Sequence, residues 1–251
     1  MSDVPPVIRV TDLTMAYGHK VVQQGLTFDV FPGEILVLMG GSGCGKSTLL
    51  RHLIGLQLPA AGHIRYGDID LADADELQMD QLRRQFGVMF QAGALWSSMS
   101  VGENVMLPLR EFTDLLPREI ETLARFKLAL VGLDGAFDAS PAALSGGMKK
   151  RAAIARAMAL DPPLLYLDEP SAGLDPLTSA RLDELILNLR DHLGSAVVMV
   201  THELDSIFAV ADRALFLDAK EKTMTALDTP RALLEHGPDT VRHFMRRGVP
   251  A

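Results

Sequence analysis

The stretch GGSGCGKST, residues 40–48, decides how the rest of this chain is read. It matches G-x-x-x-x-G-K-[ST], the pattern of a loop that cradles phosphate. Glycines let the backbone curl until successive N–H groups converge on phosphate oxygens. The flanks matter as much. The apolar run EILVLM (34–39) precedes the loop and KSTLLRHLIGLQ (46–57) follows it. That is strand, loop and helix, the opening of a βαβ unit. The helix start adds unsatisfied N–H groups and the positive end of its dipole. Gly40, Gly41, Ser42, Gly43, Cys44, Gly45, Lys46, Ser47 and Thr48 are therefore candidate nucleotide contacts. Lys46 is expected to reach the β- and γ-phosphates, and the Ser47 hydroxyl to bind Mg²⁺. Cys44 fills a free position of the motif and reads as a small filler residue.

The bulk properties bound the setting. The 251 residues are 48% hydrophobic and 22% charged, as in one large folded domain or a core with a subdomain. No apolar run approaches the ~18 residues of a membrane-spanning helix. The opening MSDVPPVIRV lacks a basic region followed by an apolar core, so no secretory signal is expected. A formal charge of −8 argues against nucleic acid as the main partner, and a lone cysteine fits a reducing compartment. The expected location is cytoplasmic.

Further strand-like runs are VIRV (7–10), LTFDVF (26–31), FGVMF (86–90), LLYLD (164–168), AVVMV (196–200) and ALFLD (214–218). Helical patterns lie between the later ones, which predicts an α/β domain with a mostly parallel sheet. The first helix is expected to run on to the turn at 59–62. Residues 92–160 carry helical stretches and no convincing strand, as in a helical subdomain inserted into a core of 1–91 and 161–225. Residues 226–251 read as a tail of one or two short helices with a basic end.

Two carboxylates close LLYLDE. Asp168 ends the apolar run and suits Mg²⁺, held directly or through water, while Glu169 would face the γ-phosphate and orient an attacking water. Strand alternation lets neighbours take different jobs. Gln91 follows FGVMF, and Thr201-His202 follow AVVMV. Ligands of open α/β sheets bind beyond the carboxyl ends of strands. Gln91 is thus a candidate for the metal or the water, and His202 for the γ-phosphate.

Leu144-Ser145-Gly146-Gly147-Met148 leads into the helical run KKRAAIARAMAL. A serine N-cap and two glycines make a second anion-gripping helix start. Two such loops for one nucleotide are reconciled by a head-to-tail dimer, in which each second loop closes on ATP held by the other chain.

At this point the sequence resembles the ATP-binding cassette (ABC) family over nearly its whole length. LSGGM is similar to the signature motif, GGSGCGKST to Walker A and LLYLDE to Walker B. Ser171-Ala172-Gly173-Leu174-Asp175 looks like the D-loop, Gln91 like the Q-loop glutamine and His202 like the switch histidine. Tyr17 matches the aromatic that stacks on adenine. The resemblance implies a P-loop NTPase (RecA-like) core, an N-terminal antiparallel β subdomain, the inserted α-helical subdomain, and a homodimer that closes on ATP. Met148 departs from the more frequent glutamine, while Ser145, Gly146 and Gly147 keep the phosphate-facing groups. With no membrane span of its own, such a chain implies a separate integral-membrane permease dimer.

FQAGALWSSMSVGENVMLPL (90–109) holds the only tryptophan and falls where cassettes meet permeases. Leu95, Trp96, Met99 and Val101 are expected either to line that groove or to pack the helical subdomain. The run QAGALWSSMSVGENVMLPLRE, with LSGGMKKRAAIARA and VRHFMRRG, looks like the Mla-type branch. That implies a peripheral ATPase on the cytoplasmic face of the inner membrane. It would work with an MCE-type lipid-binding protein and a small regulatory subunit on phospholipid or a related lipid. The rivals are an importer of polar solutes and a non-transport ABC ATPase acting on nucleic acid or protein complexes.

Overall fold

Runs of apolar residues buried on both faces, and runs that alternate, sort the strands of this chain into two sheets. The computed structural model describes residues 4–91 and 93–246. The strands are β1 (Ile8–Tyr17), β2 (Lys20–Val30), β3 (Ile35–Gly40), β4 (Ala61–Tyr66), β5 (Ile69–Asp70), β6 (Phe86–Met89), β7 (Leu164–Asp168), β8 (Ala196–Val200), β9 (Arg213–Asp218) and β10 (Thr223–Asp228). The α-helices are α1 (Lys46–Leu53), α2 (Glu76–Arg83), α3 (Val101–Phe112), α4 (Pro117–Leu130), α5 (Gly146–Ala157), α6 (Pro176–Leu193), α7 (Leu204–Val210), α8 (Pro230–His236) and α9 (Asp239–Arg246). None of them is long and apolar enough to cross a membrane.

The smaller sheet is antiparallel, in the order β2-β1-β4-β5. In β1 the inward set is Ile8, Val10, Leu13 and Met15. Its phase slips by one at a bulge around Asp12, which takes a left-handed φ of 47°. β4 crosses that bulge so closely that a Cβ on Gly62 would lie 2.3 Å from the Asp12 carbonyl oxygen. Only glycine fits there.

The larger sheet runs β10-β9-β3-β8-β7-β6, with β3, β6, β7, β8 and β9 parallel and β10 antiparallel at one edge. Alternation along β3 splits the core in two. Ile35, Val37 and Met39 join the cluster under α3, α4, α5 and α6, while Leu36 and Leu38 join the cluster under α1 and the smaller sheet. Between β6 and β7 the described residues form helices and no strand.

Four elements differ from the sequence reading. α1 stops at Leu53 because Gly55 turns left-handed (φ 71°) and its N–H bonds the His52 carbonyl while that of Leu56 bonds Arg51. β4 and β5 were not legible as strands, since β4 turns only Ile64 and Tyr66 fully inward. The Tyr66 hydroxyl donates to the Leu53 carbonyl (2.6 Å) and also bonds the buried Tyr166 hydroxyl, so β4 ties α1 to β7. β10 takes residues 223–228 and so runs three residues past the expected end of the core at 225 into the expected tail; its half-exposed residues give no alternation to read.

The rest of the tail folds back on its own chain. Val241 and Met245 on α9 are fully buried, and Phe244 meets Phe216 edge-on at 5.4 Å. The basic end beyond Arg246 lies outside the described residues, as does Ala92. Met245→Ala is expected to cost about 2–5 kcal/mol, the range for a truncated core methionine. A urea titration reads this directly, and an unchanged midpoint would contradict the docking of α9.

Candidate nucleotide site

β3 delivers the chain to the loop at Gly40, whose φ is 145°. A Cβ there would sit 2.4 Å from the Leu217 carbonyl oxygen and 2.8 Å from Cys44 Sγ. At Gly45, φ 103°, a Cβ would lie 2.8 Å from Val22 Cγ1. The loop is thus wedged between β9 and β2, and both glycines are steric requirements. Cys44 points into the core and is buried, in keeping with a filler. The Lys46 ammonium arches back over the loop, 3.0 Å from the Gly40 carbonyl and 3.1 Å from that of Gly41. Tyr17, half-exposed at the end of β1, stands beside this first turn of α1. Hydrogen bonding by Thr48, and more weakly by Gln57 and Arg51, holds its phenol below the usual value.

One residue here escaped the sequence reading. Gln23 on β2 is fully buried, and its Nε2 donates to the Cys44 carbonyl (2.7 Å) and the Asp218 carbonyl (3.0 Å). It pins the phosphate loop to the end of β9. Strict alternation from Leu26, Phe28 and Val30 would turn Gln24 inward, but the register with β1 slips between Leu26 and Gln23. That slip hid it.

The acids close the other side. Asp168 ends β7 almost fully buried, and Ser47 Oγ donates to its Oδ1 at 3.2 Å. Burial pushes its carboxyl up, with the Ser47 hydrogen bond opposing. Glu169 follows in a left-handed conformation, φ 52°, which costs a residue with a Cβ on the order of 1–2 kcal/mol. Its N–H bonds the Val200 carbonyl at 2.8 Å. Its Oε1 lies 2.9 Å from Nδ1 of His202; a carboxylate only accepts, so that nitrogen carries the proton. Glu169 Oε2 is buried with no protein donor. Ser47, Asp168, Glu169 and His202 therefore converge where β3, β7 and β8 end. Gln91 leaves β6 at the same sheet edge with its side chain exposed.

Ser145, Gly146 and Gly147 stand elsewhere. The Ser145 hydroxyl caps α5 by accepting from the Met148 N–H, and Ser145 and Gly146 are exposed. Gly147 is packed so that a Cβ would meet Thr178 Cγ2 at 2.7 Å. The neighbours of this loop are Leu174 just before α6 and Thr178 in its first turn, not the phosphate loop. Asp175 caps α6 through the Thr178 N–H and hydroxyl.

The apolar segment after Gln91 divides. Trp96 is 58% exposed, yet its backbone is fixed by the buried Asn104, which accepts from the Trp96 N–H (2.7 Å) and donates to its carbonyl (3.1 Å). Leu95 packs against the core and Met99 is half-buried. Val101 is fully buried, which selects the packing alternative for it: it lies in the helical layer with Val105, Met106 and Leu109.

With this geometry in place, the comparisons are specific. The family profile described as "ABC transporter" matches residues 23–172. Over 239 residues the chain is 38% identical to the "Probable ribonucleotide transport ATP-binding protein mkl" of Mycobacterium tuberculosis (strain ATCC 25618 / H37Rv), covering 95% of this chain and 66% of that protein. It thus spans just under two thirds of that relative's length. Over 242 residues it is 36% identical to the "Intermembrane phospholipid transport system ATP-binding protein MlaF" of Escherichia coli (strain K12), covering 96% of this chain and 89% of that one. Among solved structures, the dimeric ATP-binding cassette MJ0796 bound to ADP and Pi superposes with a TM-score of 0.80 at 28% identity, covering 88% of this chain and 98% of its own.

Gln23→Leu removes the donor but keeps the bulk, taking this hydrogen bond from the buried Cys44 carbonyl and leaving the Asp218 carbonyl with the Lys222 N–H alone. It is expected to lower stability by about 1–3 kcal/mol and to weaken ATP binding. Calorimetry and nucleotide titration of the variant measure both, and wild-type affinity would exclude Gln23 from shaping the loop.

Proposed function

We propose, for a chain that belongs to the ABC transporter family and hydrolyses ATP, that it energises phospholipid movement between bacterial membranes through a separate permease. The observation that carries this cargo is the match to MlaF over 89% of that protein's length. The chain would act as a homodimer on the cytoplasmic face of the inner membrane. Its partners would be a permease dimer, an MCE-type lipid-binding protein and a small regulatory subunit. The exposed Trp96, on a backbone held rigid by Asn104, is the surface offered to the permease.

The chemistry follows from the side chains. The glycine cradle and Lys46 would grip the phosphates, and Tyr17 would stack on the base. Mg²⁺ fits the residues present: a hydroxyl and a carboxylate 3.2 Å apart are hard oxygen donors. Ser47 and Asp168 would hold it with Gln91 alongside, and bound there it would neutralise charge on the β- and γ-phosphates. Glu169 has one carboxylate oxygen fixed by His202 and the other unpartnered, free to accept a proton from an attacking water. His202 both orients Glu169 and stands at the mouth of the site. Ser145, Gly146 and Gly147, turned away from this chain's own cradle, would close on the partner's ATP, with Asp175 setting the start of α6 beside them.

Glu169→Gln is expected to bind ATP normally and lose roughly 10²–10⁴ in turnover. Lys46→Ala should fail earlier, at nucleotide binding. Near wild-type hydrolysis by Glu169→Gln would remove that residue from its assigned role. For the cargo, the decisive measurement is lipid analysis of the complex purified from its native membrane. Bound phospholipid and an MCE-type partner are expected; a soluble solute-binding protein, a bound ribonucleotide cargo or nucleic acid would overturn the lipid reading.

A further inference from the structure

Helix α5 carries three cations that are directed at main-chain carbonyls: Arg151 donates to those of Val131 and Gly132 just past α4, while Lys150 and Arg156 reach the turns beside Glu169 and Gln91. Lys150, five residues past the Ser145 cap, donates to the Glu169 carbonyl (3.0 Å) and the Ala172 carbonyl (2.6 Å). Arg156, nearer the other end, donates to the Gly93 carbonyl (2.9 Å) and the Ala94 carbonyl (2.6 Å). The first pair of acceptors brackets the turn that follows Glu169. The second pair lies two and three residues past Gln91.

Both turns are strained, so both need holding. Glu169 (φ 52°) and Ala94 (φ 48°) both lie in the left-handed region, where a side chain is disfavoured. Charge-assisted donors are about twice as strong as neutral ones and suit that task. Both cations are partly withdrawn from water, and burial lowers the pKa of each; for Lys150 the charges of Glu169 and Glu203 oppose the shift. A helix is stiff along its axis. Lys150 lies about 7.5 Å and Arg156 about 16 Å from the Ser145 cap at ~1.5 Å per residue. A displacement of that cap is therefore felt at both turns.

We propose that Lys150 and Arg156 are positioning residues through which α5 passes the state of the nucleotide gripped at its own N-terminus to the Glu169 turn and the Gln91 loop of the same chain. This rests on the reading that Ser145, Gly146 and Gly147 close on the partner's ATP. Occupancy of one site then sets the backbone of the hydrolytic carboxylate in the other, and the two sites of a dimer fire together. A staple that only held the fold would contribute to stability without linking the sites.

The test is ATP hydrolysis by the full chain against ATP concentration, read as kcat, half-saturation and Hill coefficient, with the unfolding midpoint measured in parallel. The wild-type protein is expected to be cooperative. Lys150→Met is expected to lower kcat by about tenfold or more, to shift half-saturation by no more than about twofold, and to bring the Hill coefficient towards 1. Lys150→Gln keeps a donor without the charge or the reach and should fall between the two, which also decides the matter should the methionine variant not fold. Wild-type kcat and cooperativity in either folded variant would overturn the proposal while leaving the dimeric reading intact. So would a loss of kcat that only follows a lowered midpoint with the Hill coefficient kept. A wild-type protein that hydrolyses ATP with a Hill coefficient of 1 would instead overturn the shared-site reading, and the proposal with it.

Discussion

The backbone must leave β3 at Gly40 in a space too tight for any side chain, with the Leu217 carbonyl 2.4 Å from where a Cβ would be. That single constraint places everything else. It leads the chain into α1 at Lys46 and sets Ser47 within hydrogen-bond reach of Asp168 on β7. Gln23 works on the same loop from the other side by binding the Cys44 and Asp218 carbonyls together. The phosphate loop is thus held by two sheets, and a change in the packing of either reaches it.

The buried acids show the second organising force. Asp168 and Glu169 are adjacent carboxylates, both nearly inaccessible to water. Placing such charges in a weakly polar environment is costly unless donors or cations approach them. Within the chain, Ser47 and His202 each supply one hydrogen bond, and one Glu169 oxygen is left without a donor. This incomplete satisfaction is what a site built to receive a metal–nucleotide and a water would leave open. The strain at Glu169 has the same sense: backbone energy is stored where the chemistry is proposed to occur.

The helical layer joins these parts mechanically. Its core is made of α3, α4 and α5 packed on the face of the large sheet that carries Val37, Leu165 and Met199. From it, α5 reaches the turns after Glu169 and Gln91, and Asn104 on α3 holds the backbone of the exposed Trp96. Trp96, the turn after Glu169 and the Ser145 loop are accordingly attached to one packed unit.

Much of this was legible before any coordinates. Walker A, the Asp168-Glu169 pair, Gln91, His202 and the Ser145 loop are local arrangements, because each depends on a short run whose backbone geometry its own glycines, caps and strand ends dictate. The meeting of all but the Ser145 loop at one edge follows from a parallel sheet, which brings the carboxyl ends of its strands together. Only the tertiary structure decided what depends on register or on distant packing. The slip between Leu26 and Gln23 turned a glutamine inward that strict alternation would leave outside. The weakly patterned β4 and β10 became strands because neighbours offered free edges, and α9 docked because Phe216 and the core beside it received Phe244 and Met245. In the segment 90–109, sequence supplied the apolar composition, but packing buried Val101 and left Trp96 in the open. Composition is a property of the chain alone; which face of it meets solvent is settled by whatever folds against it.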